Sequence, residues 1–172
     1  MKVIFLDVDG VLNCESTKAF FEGVPFVESE KIKLVAEIVK KTGAKIVLTS
    51  NWRSGWDRKI RGIDNDFAVR RFNALADAFA AEGLSFLDYT PKLFDSTRGA
   101  EIKAWLDTRL ENEIENFVIL DDDRDMRPYM KKLVNTSWKT GMTEKDAKRA
   151  VKILNEGVDW DAYFLSTNRT AR

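Results

Sequence analysis

The sequence predicts an α/β fold with a mainly parallel sheet, and two features of its pattern carry that reading. Three short runs, residues 2–7 (KVIFLD), 45–48 (KIVL) and 117–120 (FVIL), are almost continuously apolar and contain β-branched residues. Strands covered on one face alternate apolar with polar; strands covered on both faces, as in a parallel sheet, do not. Between the first two runs, residues 29–42 place Ile32, Val35, Ile38 and Val39 on one helical face. The economical arrangement is a βαβ unit with its strands parallel.

Taken in order, the first strand ends at Asp7 and is followed by a Gly-containing stretch and an aromatic segment, Phe20 to Phe26. The helix over 29–42 has Ser29 as its candidate N-cap and Gly43 as its stop. A second helix is expected from about Asp66 to Ala81, on the spacing of Phe67, Val69, Phe72, Leu75, Phe79 and Ala80, with Gly83 ending it. Ser85–Tyr89 reads as a short strand, Thr97 to about Leu110 as a helix, and Leu133–Val134 as the start of a fourth strand in the sheet. The last helix begins at Thr143, where Thr-Glu-Lys-Asp approximates a capping box, and runs through Leu154. The tail after Phe164 is polar and expected to fray.

A chain of 172 residues suits a single domain and buries about two-thirds of its unfolded surface without disulfides. An apolar share of 44% with 33% charged residues is that of a soluble globular protein. No apolar run approaches the roughly 20 residues of a membrane helix. Aspartates interrupt the N-terminal apolar run after Leu6, so it reads as a strand rather than a signal peptide, and the expected location is cytoplasmic. The chain has no histidine and one cysteine, Cys14. Serine triads, Cys-His pairs and ordinary zinc sites are thereby excluded, and the chemistry must rest on carboxylates, hydroxyls, Lys and Arg. Twenty-eight basic and 28 acidic residues cancel, so no global field points to nucleic acid.

The apolar strands end in polar residues: Asp7 and Asp9, Thr49 and Ser50, Asp121 and Asp122. Ligands of open α/β sheets bind outside the carboxyl ends of the strands, so these groups should converge. Converging carboxylates raise one another's pKa unless a cation neutralises them. All-oxygen ligation favours Mg2+, which takes one or two carboxylates together with substrate phosphate.

These residues resemble a known pattern. Asp7-Val8-Asp9-Gly10-Val11-Leu12-Asn13, after an apolar strand, matches the first motif of the haloacid dehalogenase-like (HAD) phosphohydrolase superfamily. Ile46-Val47-Leu48-Thr49-Ser50 resembles its second motif, and Phe117 to Asp122 its fourth, in the form with adjacent acids. For the third motif, a Lys or Arg before a helix, Arg98 fits best and Lys92 is the alternative. Thr-Ser-Asn-Trp-Arg, Arg-Gly-x-Glu-Ile-x-x-Trp-Leu and the Gly-Met-Thr before the last helix are similar to the small HAD domains of RNA repair proteins.

The resemblance implies a Rossmann-like three-layer α/β/α sandwich with a minimal cap. It makes Asp7 the nucleophile, through an aspartyl-phosphate, and Asp9 the general acid and then base. Family members that dehalogenate lack the second aspartate, so Asp9 favours phosphatase chemistry. Mg2+ would lie between the Asp7 side chain, the Asp9 carbonyl and Asp122, with Asp121 a ligand or a supporting group. Thr49 or Ser50 would bind phosphate oxygens, which register does not separate, and Arg98 would stabilise the transferring group. Asp123 and Asp125 would orient metal waters or cap the following turn.

Structural alternatives stand beside these roles. DVDG alone is an Asx-type turn, Asp121–Asp123 a solvated acidic loop, and Arg98 a surface charge beside a helix N-terminus. Trp52, Trp56, Trp105, Trp138 and Trp160 are core or rim residues before they are a stacking platform. Arg53, Arg58, Lys59 and Arg61 form a local basic cluster, a solvated face or a phosphate-backbone contact. Cys14 is expected simply to pack.

The interval 14–48 holds a helix and a small flap at about 14–28, and 53–98 holds one extra helix, so no full cap is expected within the single domain of residues 1–172. By family analogy an open site suits a phosphorylated substrate such as a nucleotide or a nucleic-acid end. The competing readings are a phosphoprotein phosphatase and a catalytically silent phosphate-binding module. The sequence does not define the oligomeric state.

Overall fold

The apolar runs form the centre of a five-stranded, all-parallel sheet. In the computed structural model, which describes residues 1–109 and 113–157, β1 (Lys2–Leu6) pairs on one side with β4 (Lys45–Leu48) and on the other with β6 (Asn116–Asp121). With β5 (Phe86–Tyr89) and β7 (Leu133–Asn135) at the edges, the order is β5-β4-β1-β6-β7. The chain first winds outward from β1 to β5 and then crosses back to β6. The reversal leaves a crevice between the carboxyl ends of β1 and β6, where such sheets bind ligands.

Both faces of the sheet are covered, which is why its strands do not alternate. Ile4, Leu6, Ile46, Leu48, Val118 and Leu120 belong to a core shared with α1 (Ser29–Thr42), α3 (Phe67–Ala81) and α5 (Glu144–Asn155). Val3, Phe5, Val47, Phe117 and Ile119 pack on the opposite face against α4 (Arg98–Leu106) and the segment around Met126 and Tyr129. Phe5 meets Trp105 and Phe117 edge-on at 5.3 and 5.4 Å. Each large side chain so buried contributes about 1.5–3 kcal/mol. The result is the expected Rossmann-like sandwich. Among the described residues, no helix is long and apolar enough to cross a membrane.

Three expectations are corrected. The interval after Thr49 contains two helices rather than one, because Arg53–Ile60 forms α2. Its sequence, RSGWDRKI, has too few apolar residues to show a period; it is held by packing on α3, so closely that a Cβ on Gly55 would lie 2.0 Å from the Ala68 carbonyl oxygen. The N-cap of α1 is Glu28, with Ser29 already helical. The helix expected to reach Leu110 stops at Leu106. The flap contains a hairpin, β2 (Phe20–Phe21) and β3 (Val24–Pro25), turning on Glu22 and Gly23 with φ of 48° and 85°, as a two-residue turn between twisted strands demands. Arg70 of α3 clamps that turn with two 2.8 Å hydrogen bonds to Glu22. The tail after Phe164 lies outside the described residues.

Candidate active site

Asp7 leaves β1 at the crevice, and Asp121 is the last residue of β6. Carboxylate oxygens of Asp7, Asp121 and Asp122 lie within 4.8 Å of one another. The turn 8–13 is built to admit this. Asn13 Oδ1 accepts from Gly10 N at 3.0 Å, and Thr136 Oγ1 donates to the Gly10 carbonyl at 2.8 Å. Gly10 has φ +72°, and a Cβ there would lie 2.3 Å from the Asp122 carboxyl carbon. Glycine is therefore required twice, for the backbone conformation and for the space Asp122 occupies.

The cluster is electrostatically costly as it stands. Burial pushes the Asp7 carboxyl up to about 6, against the pull of the Arg98 guanidinium and of a hydrogen bond from the Ser50 hydroxyl. Burial, then the charge of Asp7, pushes Asp121 up to about 8. Asp122 is also raised, chiefly by burial. Asp121 Oδ1 accepts from Asp123 N at 2.9 Å, but Oδ2 is buried and accepts no hydrogen bond among the described residues; Arg98 Nε stands 3.6 Å from it, an ion-pair distance only. Three converging carboxylates, one with an oxygen unsatisfied, fit a small divalent cation bound through oxygen.

Arg98 lies between two of these acids, its Nη2 3.7 Å from Asp7. Local sequence accounts for its placement. Thr97 caps α4 through Ala100 N, and Asp125 Oδ2 accepts from Arg98 N at 2.9 Å. Gly99 lets the helix approach the chain after β6 so closely that a Cβ would lie 2.1 Å from the Arg127 carbonyl oxygen. Glu101 then pairs with Arg53 through two hydrogen bonds of 2.8 and 2.9 Å and stands 3.9 Å from Arg98. Lys92, the alternative cation, is exposed and forms no ion pair among the described residues. Arg53, read in the sequence as part of an exposed basic cluster, is buried, whereas Arg58 and Arg61 pair with Asp66 and Asp57 on the surface.

The other candidates separate. Ser50 reaches Asp7, while the Thr49 hydroxyl is buried without a partner among the described residues. The Asp9 side chain is exposed and stands apart from the three-acid cluster. Asn13 Nδ2 donates to its Oδ1 at 2.8 Å and Trp52 Nε1 to its Oδ2 at 2.9 Å, which fixes the carboxyl's direction. Trp52 is thus a core residue, 2% exposed, whose polar edge serves the site. Asp125 caps the helix bearing Arg98 rather than the turn that follows it. Cys14 is buried against Ser16 and Thr17, whose hydrogen bonds lower its thiol pKa although burial alone would raise it.

Residues 3–147 match the family model described as the HAD domain in Swiss Army Knife RNA repair proteins. The chain belongs to this family. No curated protein and no solved structure matches it. In this HAD domain the motif Arg-Gly-x-Glu-Ile has a physical reading: a cation for the crevice, a close approach, a buried anion for a second arginine, and a core residue. Membership implies phosphohydrolase chemistry on a phosphorylated substrate, and the acidic cluster is suited to a divalent metal.

Proposed function

We propose that this HAD domain is a magnesium-dependent phosphomonoester hydrolase that works through an aspartyl-phosphate on Asp7. The observation that carries the reading is the convergence of Asp7, Asp121 and Asp122 with Arg98 between the first two and Ser50 beside Asp7. The side chains of Asp7, Asp121 and Asp122, with the Asp9 carbonyl, would hold Mg2+, which would supply the positive charge that screens an anionic nucleophile from an anionic phosphate.

An Asp7 carboxylate oxygen attacks phosphorus, and the bond to the leaving oxygen breaks. Asp9, held by Asn13 and Trp52, gives that oxygen its proton. In the second half Asp9 takes a proton from water as the water oxygen attacks phosphorus, and Asp7 is released with inorganic phosphate. Arg98 and the Ser50 hydroxyl contact the oxygens of the transferring group, where negative charge is spread in the transition state. Ser50 takes this role rather than Thr49.

The substrates are nucleotides or polynucleotide ends, and the protein acts in the cytoplasm as one domain with the hairpin as its flap. The RNA repair setting named for the family and the small hairpin, too short to enclose a substrate, support this class. The test is hydrolysis of an aryl phosphate, 3′- and 5′-phosphorylated oligonucleotides, mononucleotides and a phosphopeptide, with and without magnesium, in native protein and Asp7→Asn. Magnesium-dependent turnover lost in Asp7→Asn is expected. Faster release from the phosphopeptide contradicts the substrate class, and no turnover at all contradicts the enzyme.

A further inference from the structure

The arginines of α2, of its C-terminal end and of α3 are paired with one exception. Arg53 pairs with Glu101, Arg58 with Asp66, Arg61 with Asp57 and Arg70 with Glu22. Arg71 differs. Among the described residues it has no carboxylate within ion-pairing reach and no hydrogen-bond acceptor, and its Nε is buried without a partner. Its guanidinium carbon lies 4.3 Å above the Trp52 ring and 5.2 Å from that of Phe67. Trp52 is the residue whose Nε1 orients Asp9, so Arg71 stands on the Asp9 side of the site, where the leaving group would lie. Burial lowers the guanidinium's pKa, and the charge of Asp9 works against that shift.

An arginine desolvated on an aromatic face keeps its charge and its fork of donors, and stacking holds the plane in one orientation. Arg71 is half-buried and its Nε–H is shut off from solvent without an acceptor, a cost that an anion reaching the guanidinium beside Asp9 would offset. Asp9 itself is already bound by Asn13 and Trp52 through both oxygens. The missing acceptor is therefore an anion that arrives with the leaving group.

We infer that Arg71 binds a second phosphate of the substrate, the phosphodiester next to the scissile phosphate of a nucleic-acid end. The inference rests on the hydrolase reading above. It makes Arg71 a specificity residue: the phosphoryl group is gripped by Arg98, and the chain it leaves is gripped by Arg71. A bidentate guanidinium–phosphate contact is the chemistry expected of that geometry.

The experiment compares kcat/KM for 3′- and 5′-phosphorylated trinucleotides with that for an aryl phosphate and for a nucleoside 3′,5′-bisphosphate, in native protein, Arg71→Gln and Arg71→Lys. The ratio of trinucleotide to aryl phosphate is expected to fall roughly ten- to hundred-fold in Arg71→Gln for at least one end, and less in Arg71→Lys. A purely structural role lowers both substrates together and leaves the ratio unchanged, which overturns the inference. A fall confined to the bisphosphate overturns the assignment to a nucleic-acid chain. In Asp7→Asn, calorimetric titration with the trinucleotides should show weaker binding and a salt slope smaller by about one when Arg71→Gln is added. Identical slopes overturn the inference even if no substrate is hydrolysed, whereas absent turnover with a reduced slope overturns only the hydrolase reading.

Discussion

At Gly10 a single absent Cβ decides whether the acids can meet. Gly10→Ala places a methyl group 2.3 Å from the Asp122 carboxyl carbon and strains a backbone at φ +72°. The magnesium concentration giving half-maximal activity is expected to rise roughly 10- to 100-fold, as when a support of a metal ligand is removed; an unchanged magnesium dependence would separate Asp122 from the metal. Trp52 acts through Asp9. Trp52→Phe keeps most of the buried ring and loses the Nε1 donor, so kcat should fall about tenfold for an alkyl ester. The fall should be smaller for an aryl ester, whose leaving oxygen has less need of the proton. Equal losses on the two esters would reduce Trp52 to packing.

Elements place these residues, and their legibility in the sequence differed for physical reasons. β1, β4 and β6 were readable because burial on both faces demands an unbroken apolar run, and α3 and α5 because each buries one stripe. The hydrophobic pattern says nothing about α2, which is short and polar and folds on α3 through Gly55. Asp7, Asp9, Ser50, Arg98, Asp121 and Asp122 stood out because they follow strands or a capped helix start. Arg71 did not, and Arg53 and Trp52 stood out only as members of a basic cluster and of the aromatic set, since an arginine buried by tertiary packing looks in sequence like any helical surface charge and an indole's polar edge leaves no periodic signal. At this scale the Arg53–Glu101 pair ties α2 to α4. Glu101→Ala leaves Arg53 buried and uncompensated and should cost about 3–5 kcal/mol in urea unfolding. A cost below about 1 kcal/mol, the range of an exposed pair, would contradict its burial.

Across the whole molecule, stability and the site are opposed. Asp7 and Asp121 are held above their ordinary 3.8, at about 6 and about 8, so the metal-free fold favours their protonated forms. Their contribution to stability is complete below 3.8 and is lost as pH rises through 6 and then 8, the two acids titrating as a pair. Without metal, the urea midpoint of Asp121→Asn relative to native protein should therefore increase with pH over this window. Magnesium should restore the native protein and leave the variant little changed. A difference independent of pH would contradict the raised pKa.

The central claim is that Asp7 carries the phosphoryl group. A labelled phosphomonoester should be mixed with the protein in a single turnover, quenched in acid, and the peptides analysed for bound phosphate. The expected result is a magnesium-dependent, hydroxylamine-labile phosphate on the peptide containing Asp7, absent from Asp7→Asn. Hydrolysis that proceeds in Asp7→Asn, or native turnover with the label trapped on another residue, would contradict it.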